Sequence, residues 1–260
     1  MAHPGRRRPT PAALFFPPAQ TASADGIVAV GGDLSPERLV AAYGQGIFPW
    51  PHQGWPLLWF SPDPRYVLSA DALHVPRRLE RTIRSRRFTV TFDTAFDDVI
   101  DACASVPRVG EDGADDGTWI TPAMARAYKR LHALGVAHSA ETWRDGRLVG
   151  GLYGVSLGGM FAGESMFTRA SDASKVAFVT LVRHLAAWGI RLVDVQVETP
   201  HVVRFGAAPW PRDVFLARLA EAMRQPTRLG PWRVDEGVEV DEVVDSVDSV
   251  DEPDDVHGQG

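Results

Sequence analysis

Two segments of the chain place polar side chains where apolar ones would be expected, and these residues have the types and spacing to do chemistry. The segment FAGESMFTRASDASK (161–175) sets one carboxylate, Glu164, in a small and apolar stretch. The segment LVDVQVETPH (192–201) alternates valines with polar residues, among them Asp194 and Gln196. A strand sends alternate side chains to opposite faces, so the polar groups would share one face. Polar groups on a buried strand are costly unless they are paired or used, which makes this face the candidate site.

Glu164, Asp194 and Gln196 form a constellation that suits an amine substrate. A carboxylate beside a carboxamide can orient an amine nucleophile or accept its proton. The same three residues also fit a buried hydrogen-bond network that closes a sheet, and spacing alone leaves both interpretations open. Apolar residues that could line a pocket beside them, or simply fill the core, are Leu152, Phe161, Met166 and Val193.

The segment PRRLERTIRSRR (76–87) is strongly basic and predicts a helix. Helical spacing puts Arg77, Arg81 and Arg84 on one face and the leucine and isoleucine on another. A solvated face is the ordinary explanation of such a run, but only Glu80 is acidic, so the run is not self-neutralised. Arginine binds phosphate oxygens in a bidentate manner, and we therefore expect salt-sensitive phosphate binding here. The six arginines are Arg77, Arg78, Arg81, Arg84, Arg86 and Arg87.

Tryptophan is unusually frequent in the segments predicted to be loops. Trp50, Trp55, Trp59 and Trp119 all fall there. Most buried tryptophans are core residues, which is the simpler interpretation. Two of them near a glycine-rich turn could instead stack a nucleobase.

Several familiar kinds of site are missing from the sequence. It contains no GxxxxGK[ST] loop, no GxGxxG element after a strand and no GxSxG elbow. Cys103 is the single cysteine, which excludes an intrachain disulfide and a thiolate metal cluster. Five histidines lack the spacing of metal ligands and are interpreted as structural: His74, His132, His138, His184 and His201.

The net charge of −6 hides two regions of opposite sign. Residues 235–260 contain eleven acidic and no basic residues, so removing them changes the balance from 27 basic against 33 acidic residues to 27 against 22. The body of the chain is therefore basic, which is compatible with an anionic partner. We interpret 235–260 as an acidic disordered tail, whose role the sequence does not define.

The order of elements predicts an α+β (α/β) fold in two parts. Residues 1–70, of which the first dozen or so are expected to be disordered, form a small N-terminal domain, and residues 71–234 a larger domain. Predicted strands are 88–92, 137–144, 147–157, 158–167 and 190–197, with an Asp145-Gly146 hairpin turn. Predicted helices are 36–44 capped by Ser35, 76–87, 95–104 capped by Asp93, 122–135 opened by Thr121, 172–188 capped by Ser171 or Asp172, and 212–224.

The sequence also predicts a compartment. No apolar run approaches the roughly 20 residues that span a bilayer. The basic N-terminus is followed by prolines rather than by an apolar segment, so it is not a secretory signal. We expect a cytoplasmic monomer that does not associate with a membrane.

Taken together, several segments resemble one known family. They are GGDLSPERLVAAYGQGIFPW, PLLWFSPDPR, GTWITPAMARAYKRLHALGVAHSAETW, LVGGLYGVSLGGMFAGESMF, ASK and LVDVQVETPH, spread over about residues 14–224. In type and order they are similar to the leucyl/phenylalanyl-tRNA–protein transferases. The resemblance implies a GNAT-like acyltransferase C-terminal domain that uses no cofactor and no metal. It implies transfer of Leu or Phe from leucyl-tRNA or phenylalanyl-tRNA to proteins with N-terminal Arg or Lys, for the bacterial N-end rule degradation pathway.

The resemblance also implies roles for individual residues. Asp194 and Gln196 match the catalytic pair, and Glu164 the carboxylate at the aminoacyl end. Trp50 and Trp119 match aromatic residues around the tRNA 3′-adenosine. The aminoacyl side-chain pocket would be Leu152, Phe161, Met166, Leu181, Leu185 and Val193. The tRNA backbone would be bound by Arg77, Arg78, Arg81, Arg84 and Arg87.

Three departures from the family pattern bear on specificity, namely Phe60, Leu152 and Thr199. They leave the preference between Leu and Phe open, with Met expected as a weaker substrate. The mechanistic hypothesis is that Asp194 polarises Gln196, whose side-chain oxygen accepts a hydrogen bond from the incoming amine. Whether the ribose hydroxyl of the tRNA shuttles the proton stays open, as do the natural acceptor proteins. Alternatives of other classes are an acetyl-CoA-dependent or cell-wall branching acyltransferase and a non-catalytic RNA-binding module.

Overall fold

The computed structural model describes residues 15–52, 54–105 and 119–238. Residues 107–117, whose glycines and aspartates predict a loop, fall outside the described residues, as do the predictions for residues 1–14 and for the tail from residue 239. The helices are α1 (Pro36–Tyr43), α2 (Arg77–Arg84), α3 (Phe96–Ser105), α4 (Pro122–Ala133), α5 (Ala173–Ala187), α6 (Pro200–Val203) and α7 (Arg212–Ala222). The strands are β1 (Ile27–Val30), β2 (Phe48–Pro49), β3 (Leu58–Phe60), β4 (Arg65–Ser69), β5 (Thr89–Phe92), β6 (Ala137–Arg144), β7 (Arg147–Leu157), β8 (Met160–Thr168), β9 (Leu192–Gln196) and β10 (Ala208–Trp210).

The strands form one small and one large sheet. The small sheet has the order β1-β3-β2 and belongs to the N-terminal part. The large sheet has the order β10-β4-β9-β8-β7-β6-β5, and all of its neighbours are antiparallel except β8 and β9. Helices α3 and α4 cover one face of the large sheet and α5 covers the other. This arrangement confirms the predicted α+β class and its two-part organisation.

Local sequence signals predicted several elements correctly. Thr121 caps α4, because its hydroxyl accepts a hydrogen bond from the backbone N–H of Met124 at 3.2 Å. Asp145 and Gly146 both have positive φ, at 52° and 71°, as a tight hairpin between β6 and β7 requires.

Three predicted capping residues make no side-chain hydrogen bond to the helix backbone. Ser35 and Asp172 do occupy the N-cap positions of α1 and α5, whereas Asp93 does not cap α3. The Asp93 carboxylate accepts hydrogen bonds from the backbone N–H groups of Ser139 and Trp232 and does not cap α3. Asp172 precedes α5 with φ of 68°, but its side chain pairs with Lys175 at 2.9 Å instead of bonding to the helix backbone. Distant backbone N–H groups bind the carboxylate of Asp93, and a lysine on the helix itself binds the carboxylate of Asp172.

The division between the two parts lies earlier than predicted. Strand β4 begins at Arg65 and pairs with β9 and β10 in the large sheet, so this sheet starts before the predicted boundary at residue 70. The pairing of β4 with β9 joins segments that are far apart in sequence, which local patterns do not encode.

A C-terminal strap, residues 224–238, follows α7 and closes the α5 side of the molecule. Trp232 is buried and stacks on His138, with ring centroids 3.5 Å apart. Its backbone N–H donates to Asp93, and the N–H of Asp235 donates to Nε2 of His184 at 3.1 Å. Both histidines are therefore structural, as predicted. In the part of the chain described, no helix has the length and apolar character to cross a bilayer.

Candidate active site

A β-bulge in β8 turns Glu164 toward the α1 and α4 side of the sheet. Residues Gly154 and Tyr153 of β7 face Gly163 and Ser165, so Glu164 is an extra residue with no partner in the register. An extra residue of this kind re-aims a side chain and bends the strand. The carboxylate is thereby directed at helices α1 and α4.

The Glu164 carboxylate accepts three hydrogen bonds. Tyr43 of α1 donates to Oε1 at 2.7 Å, and Tyr128 of α4 donates to Oε2 at 2.9 Å. The Nε2 group of Gln196 donates to Oε1 at 3.0 Å. Burial raises the pKa of Glu164 to about 7, although these three hydrogen bonds act in the opposite direction. Its protonation state therefore changes near neutral pH.

The number of protons in this cluster explains why a proton on Glu164 is tolerated. The hydroxyls of Tyr43 and Tyr128 are also in hydrogen-bond contact with each other. Three oxygen–oxygen contacts thus link Tyr43, Tyr128 and Glu164, whereas the two hydroxyls supply only two protons. Burial and the nearby carboxylate raise the pKa of both tyrosines well above the usual value, so neither loses its proton. All three contacts have a donor only when Glu164 is protonated.

Gln196 ends β9 in a strained conformation that fixes its carboxamide. Its φ is +64°, a region that residues with a side chain rarely adopt. Its backbone N–H donates to Oδ1 of Asp194 at 3.0 Å, which holds this turn of the chain. The bond from Nε2 to Glu164 fixes which end of the carboxamide faces the sheet. Its Oε1 makes no hydrogen bond to any residue described and is left as an acceptor.

Asp194 is held by a buried ion pair with Arg65 of β4. Nε and Nη2 of Arg65 donate to Oδ1 and Oδ2 of Asp194 at 2.8 and 2.7 Å. The guanidinium carbon lies 4.7 Å from the ring centroids of both Phe48 and Phe215. This pair links β4 to β9 and is fully enclosed, with both side chains at most 2% exposed.

Sequence reasoning missed Tyr43, Tyr128 and Arg65. A buried aspartate on a central strand requires a cation or several donors, and this requirement predicts that some arginine lies nearby without saying which. Arg65 stands in the quoted segment PLLWFSPDPR, and both tyrosines lie on helices with apolar faces. No local signal connects the tyrosines to Glu164 or Arg65 to Asp194, because the contacts span 121 residues for Tyr43 and 129 for Arg65.

The strands β8 and β9 separate beside this cluster. Their parallel pairing covers only three residue pairs and ends with Ala162 and Asp194. Beyond it there is open space at Gly163. Apart from its chain neighbours, the nearest atom to the position of a Cβ on this residue would be the carbonyl oxygen of Asp194, at 3.9 Å. The gap leaves β8 without a partner strand on this side, and Gln196 reaches across it to Glu164. An extended substrate can enter such an opening without breaking the sheet.

The six predicted pocket residues lie together on the other side of the sheet. They share one apolar cluster between the sheet and α5, and Phe161 and Val193 form the pair next to the last one before the opening. Five are almost fully buried and Met166 is partly buried. The cluster that contains Tyr43 and Tyr128 is a different one. The six are therefore brought together, but as core that adjoins the opening. They are Leu152, Phe161, Met166, Leu181, Leu185 and Val193.

The tryptophans have different environments. Trp59 is fully buried in the core, as the simpler interpretation predicted, and Trp55 is 70% exposed. Trp50 follows β2 and contacts the Phe60 ring edge-on at 5.7 Å. Trp50 and Trp119 are both partly buried on the cluster that contains the tyrosines.

The basic residues of α2 and the turn after it are exposed. Arg84 pairs with Glu80 at 3.5 Å, and Arg87 with Asp172 at 3.7 Å. The other three predicted contacts, Arg77, Arg78 and Arg81, make no ion pair with a described residue and keep their charge for a partner. Among the residues described, no group of three or more His, Cys, Asp and Glu is placed to hold a metal ion.

The structure and the family matches agree on a small N-terminal domain followed by an α+β catalytic domain. The family model of the leucyl/phenylalanyl-tRNA protein transferase matches residues 67–220, and the model of that family's N-terminal domain matches residues 32–63. The chain belongs to the leucyl/phenylalanyl-tRNA–protein transferase family and is an aminoacyltransferase. The two matches meet between residues 63 and 67, where the large sheet begins.

Curated relatives agree over most of the chain. The leucyl/phenylalanyl-tRNA–protein transferase of Nitratidesulfovibrio vulgaris is 59% identical over 222 residues, covering 85% of this chain and 93% of its own length. The Myxococcus xanthus protein of the same name is 57% identical over 218 residues, covering 84% and 92%. Among solved structures, the C-terminal domain of a putative lysylphosphatidylglycerol synthetase from Agrobacterium fabrum matches with a TM-score of 0.32 and 14% identity, over 73% of this chain and 57% of that one. A likeness this distant shows neither the fold nor the function of this chain.

Proposed function

We propose that this protein moves Leu or Phe, and more weakly Met, from aminoacyl-tRNA to the α-amino group of proteins that begin with Arg or Lys. The product would carry a destabilising N-terminal residue for degradation. The reaction is proposed to take place in the cytoplasm, with a monomeric enzyme. Membership of the family and the names of its relatives support the reaction, and the basic α2 surface supports a nucleic-acid donor.

One observation carries the proposal, namely the fixed carboxamide of Gln196 at the opening between β8 and β9. The hydrogen bond from its Nε2 to Glu164 leaves its Oε1 as an acceptor beside the gap. An amine that enters the gap can donate an N–H to this oxygen, which aligns the nitrogen lone pair with an ester carbonyl. Positioning of this kind is the main contribution required, because an aminoacyl ester is already activated.

The balance of the reaction follows from these positions. The α-amine nitrogen forms the new amide bond, and the ester bond to the tRNA ribose breaks. A carboxamide is not a base, so the proton lost by the amine is proposed to end on the ribose oxygen that leaves. Glu164 is proposed to keep Gln196 in place while the aminoacyl group binds, with Tyr43 and Tyr128 holding Glu164.

The hypothesis that Asp194 polarises the Gln196 carboxamide needs to be changed. The Asp194 carboxylate contacts the backbone N–H of Gln196, and its other bonds go to Arg65. We therefore propose that Asp194 is a positioning residue, which holds Gln196 in its left-handed conformation. Gln196 remains the residue proposed to touch the acceptor amine.

The donor side of the proposal assigns the remaining residues. Trp50 and Trp119 would contact the 3′-adenosine, and the α2 arginines would bind the tRNA backbone. The aminoacyl side chain would enter the apolar cluster beside Val193 and Phe161 by displacing side chains at the opening. Since one methylene in such a pocket is worth about 1–3 kcal/mol, a graded preference among unbranched and γ-branched side chains is expected.

A transfer assay tests the proposal. It uses radiolabelled leucyl-tRNA and a model protein with N-terminal Arg, without ATP or acetyl-CoA. Label should enter the protein and should be lost when the N-terminal Arg is replaced by an acidic residue. The Gln196→Ala variant should lower the transfer rate at least tenfold while its affinity for leucyl-tRNA stays within twofold, because only the contact with the acceptor amine is removed. No transfer by the wild-type chain despite tRNA binding would overturn the proposed reaction.

A further inference from the structure

A cleft of about 570 Å³ opens between the N-terminal part and the start of α4, outside the site described above. One wall is formed by residues 32–34, 51, 52, 54, 55 and 57, and the other by residues between Thr121 and Arg130. In sequence, the part of the first wall that starts at Pro51 directly follows Trp50, and the second wall starts at Thr121, two residues after Trp119. The cleft therefore continues from the place proposed for the tRNA 3′-adenosine.

The cleft carries positive charge that no described residue neutralises by an ion pair. Arg126 and Arg130 line it, both are exposed, and neither makes an ion pair with a described residue. They stand four residues apart on α4, a spacing that puts like charges next to each other at a small cost in stability. Asp33 is the one acidic residue of the lining, and its carboxylate is already engaged with Ser35, whose hydrogen bonds lower its pKa.

An exposed aromatic ring stands in the same cleft. Trp55 is 70% exposed, whereas tryptophan is highly buried on average. A tryptophan face beside arginines is a stacking platform for a nucleobase whose phosphates the arginines bind. Stacking of one base on such a platform is worth about 1–3 kcal/mol.

We propose that this cleft binds the single-stranded nucleotides that precede the terminal adenosine of the aminoacyl-tRNA. Trp55 stacks a base, and Arg126 and Arg130 bind the phosphates. The inference rests on the proposed function for the identity of the donor. A nucleic acid is favoured over the acceptor protein, because an acceptor that begins with Arg or Lys presents two positive charges, which Arg126 and Arg130 would repel.

The test measures equilibrium binding of a leucine tRNA and of the same tRNA with its single-stranded 3′ end removed, at one fixed salt concentration. For the wild-type protein, removal of the 3′ end should weaken binding. Trp55→Ala and the double variant Arg126→Ala/Arg130→Ala should each weaken binding of the intact tRNA about tenfold and leave binding of the shortened tRNA unchanged. Controls are Phe15→Ala, an exposed aromatic, and Arg218→Ala, an exposed arginine of α7.

Each other outcome overturns the inference. Equal losses for intact and shortened tRNA would mean that the cleft touches the duplex or acts through the fold, which thermal melting of the variants checks. Unchanged tRNA binding together with a raised KM for the acceptor protein would assign the cleft to the acceptor. Because binding is measured without transfer, a wild-type chain that binds tRNA but transfers nothing would contradict the proposed function and not this inference.

Discussion

At the scale of single residues, the proposed chemistry depends on how Glu164 is held. Its carboxylate meets two tyrosine hydroxyls and one carboxamide N–H, and the three oxygen–oxygen contacts require three protons. A glutamate in this position is a pH-sensitive anchor for Gln196. Ionisation would leave one contact without a proton and would loosen the link between α1, α4 and β8.

The raised pKa of Glu164 predicts a pH-dependent stability. Because the pKa is 4.5 in the unfolded chain and about 7 in the folded one, the folded state binds the extra proton between these values. Its stabilising contribution is fully present below pH 4.5 and is lost as the pH rises through about 7. The loss is about 2–4 kcal/mol, from roughly 1.4 kcal/mol per pKa unit. The measurement is urea unfolding of the wild type and Glu164→Gln across this range. Because the neutral carboxamide keeps an N–H donor at every pH, the wild type should lose stability relative to the variant as the pH rises.

Other buried groups also titrate, but they are common to both proteins. Burial raises the pKa of Glu141 and lowers the pKa of His138, and neither group contacts Glu164. Their effects cancel in the difference between wild type and variant. Parallel stability curves for the two proteins would contradict the assignment of the shifted pKa to Glu164.

The ion pair of Asp194 and Arg65 predicts separate effects on stability and on activity. Asp194→Ala should cost about 3–5 kcal/mol of unfolding free energy, because it leaves Arg65 charged and buried without a partner. The double variant Asp194→Leu/Arg65→Met should recover most of that stability, since apolar replacements of a buried pair are often neutral. Transfer should stay low in both variants, because the Gln196 N–H has lost its acceptor. A double variant with restored transfer would show that Asp194 acts through stability alone.

At the scale of elements, the opening between β8 and β9 is the feature that separates this sheet from a continuous one. Two glycines near it differ in the space available. A Cβ on Gly154 would lie 2.3 Å from the Ala162 carbonyl oxygen, whereas a Cβ on Gly163 would meet only the Asp194 carbonyl oxygen at 3.9 Å. The sheet is therefore closed at one glycine and open at the other.

Gly163→Ala should leave the fold intact and obstruct the opening. We expect a change in unfolding free energy within about 1 kcal/mol, together with a severalfold higher KM for aminoacyl-tRNA, because the added methyl group stands in the gap. Steady-state transfer kinetics and urea unfolding measure the two effects. Gly154→Ala is the matched control and should be strongly destabilised. An unchanged KM for Gly163→Ala would mean that the donor does not enter between these strands.

The elements that local signals define were predictable from sequence, and those that distant contacts define were not. The Thr121 cap, the Asp145-Gly146 turn and the period of β9 each depend on a few neighbouring residues. The bulge at Glu164 depends on the register of β7 against β8, and a period-two pattern hides it. The prediction that Asp93 caps α3 failed because a backbone partner of its carboxylate, the N–H of Trp232, lies 139 residues away. The sequence singles out Glu164, Asp194 and Gln196 as candidates because they are polar residues on apolar strands, whereas Arg65 and the tyrosines show no such contrast.

At the scale of the whole molecule, positive charge is spread over two separate surfaces. One is the α2 face with Arg77, Arg78 and Arg81, and the other is the cleft beside α4. A long nucleic acid can contact both, so its binding should release several counterions. The slope of tRNA affinity against salt concentration therefore reports the number of phosphate contacts.

Removing two α2 arginines should reduce that count. The logarithm of the affinity for tRNA should fall linearly with the logarithm of salt concentration, with a slope of about −0.9 per phosphate contact. Arg77→Ala/Arg81→Ala should make the slope shallower by about two. Filter binding or anisotropy over a salt series measures it, with Arg218→Ala as the exposed control. A slope unchanged from the wild type would place the tRNA backbone elsewhere.

The pairing of β4 with β9 has a consequence for how the protein acquires activity during folding. The contact between Arg65 and Asp194 closes a loop of 129 residues, and such non-local contacts form late because the loss of chain entropy precedes the gain in contact energy. The N-terminal strands and α3 to α5 can therefore reach native-like structure in a refolding chain that does not yet hold Gln196 in place. In refolding, recovery of transfer activity should lag behind recovery of helical circular dichroism, with the closure of this strand pair as the step between them.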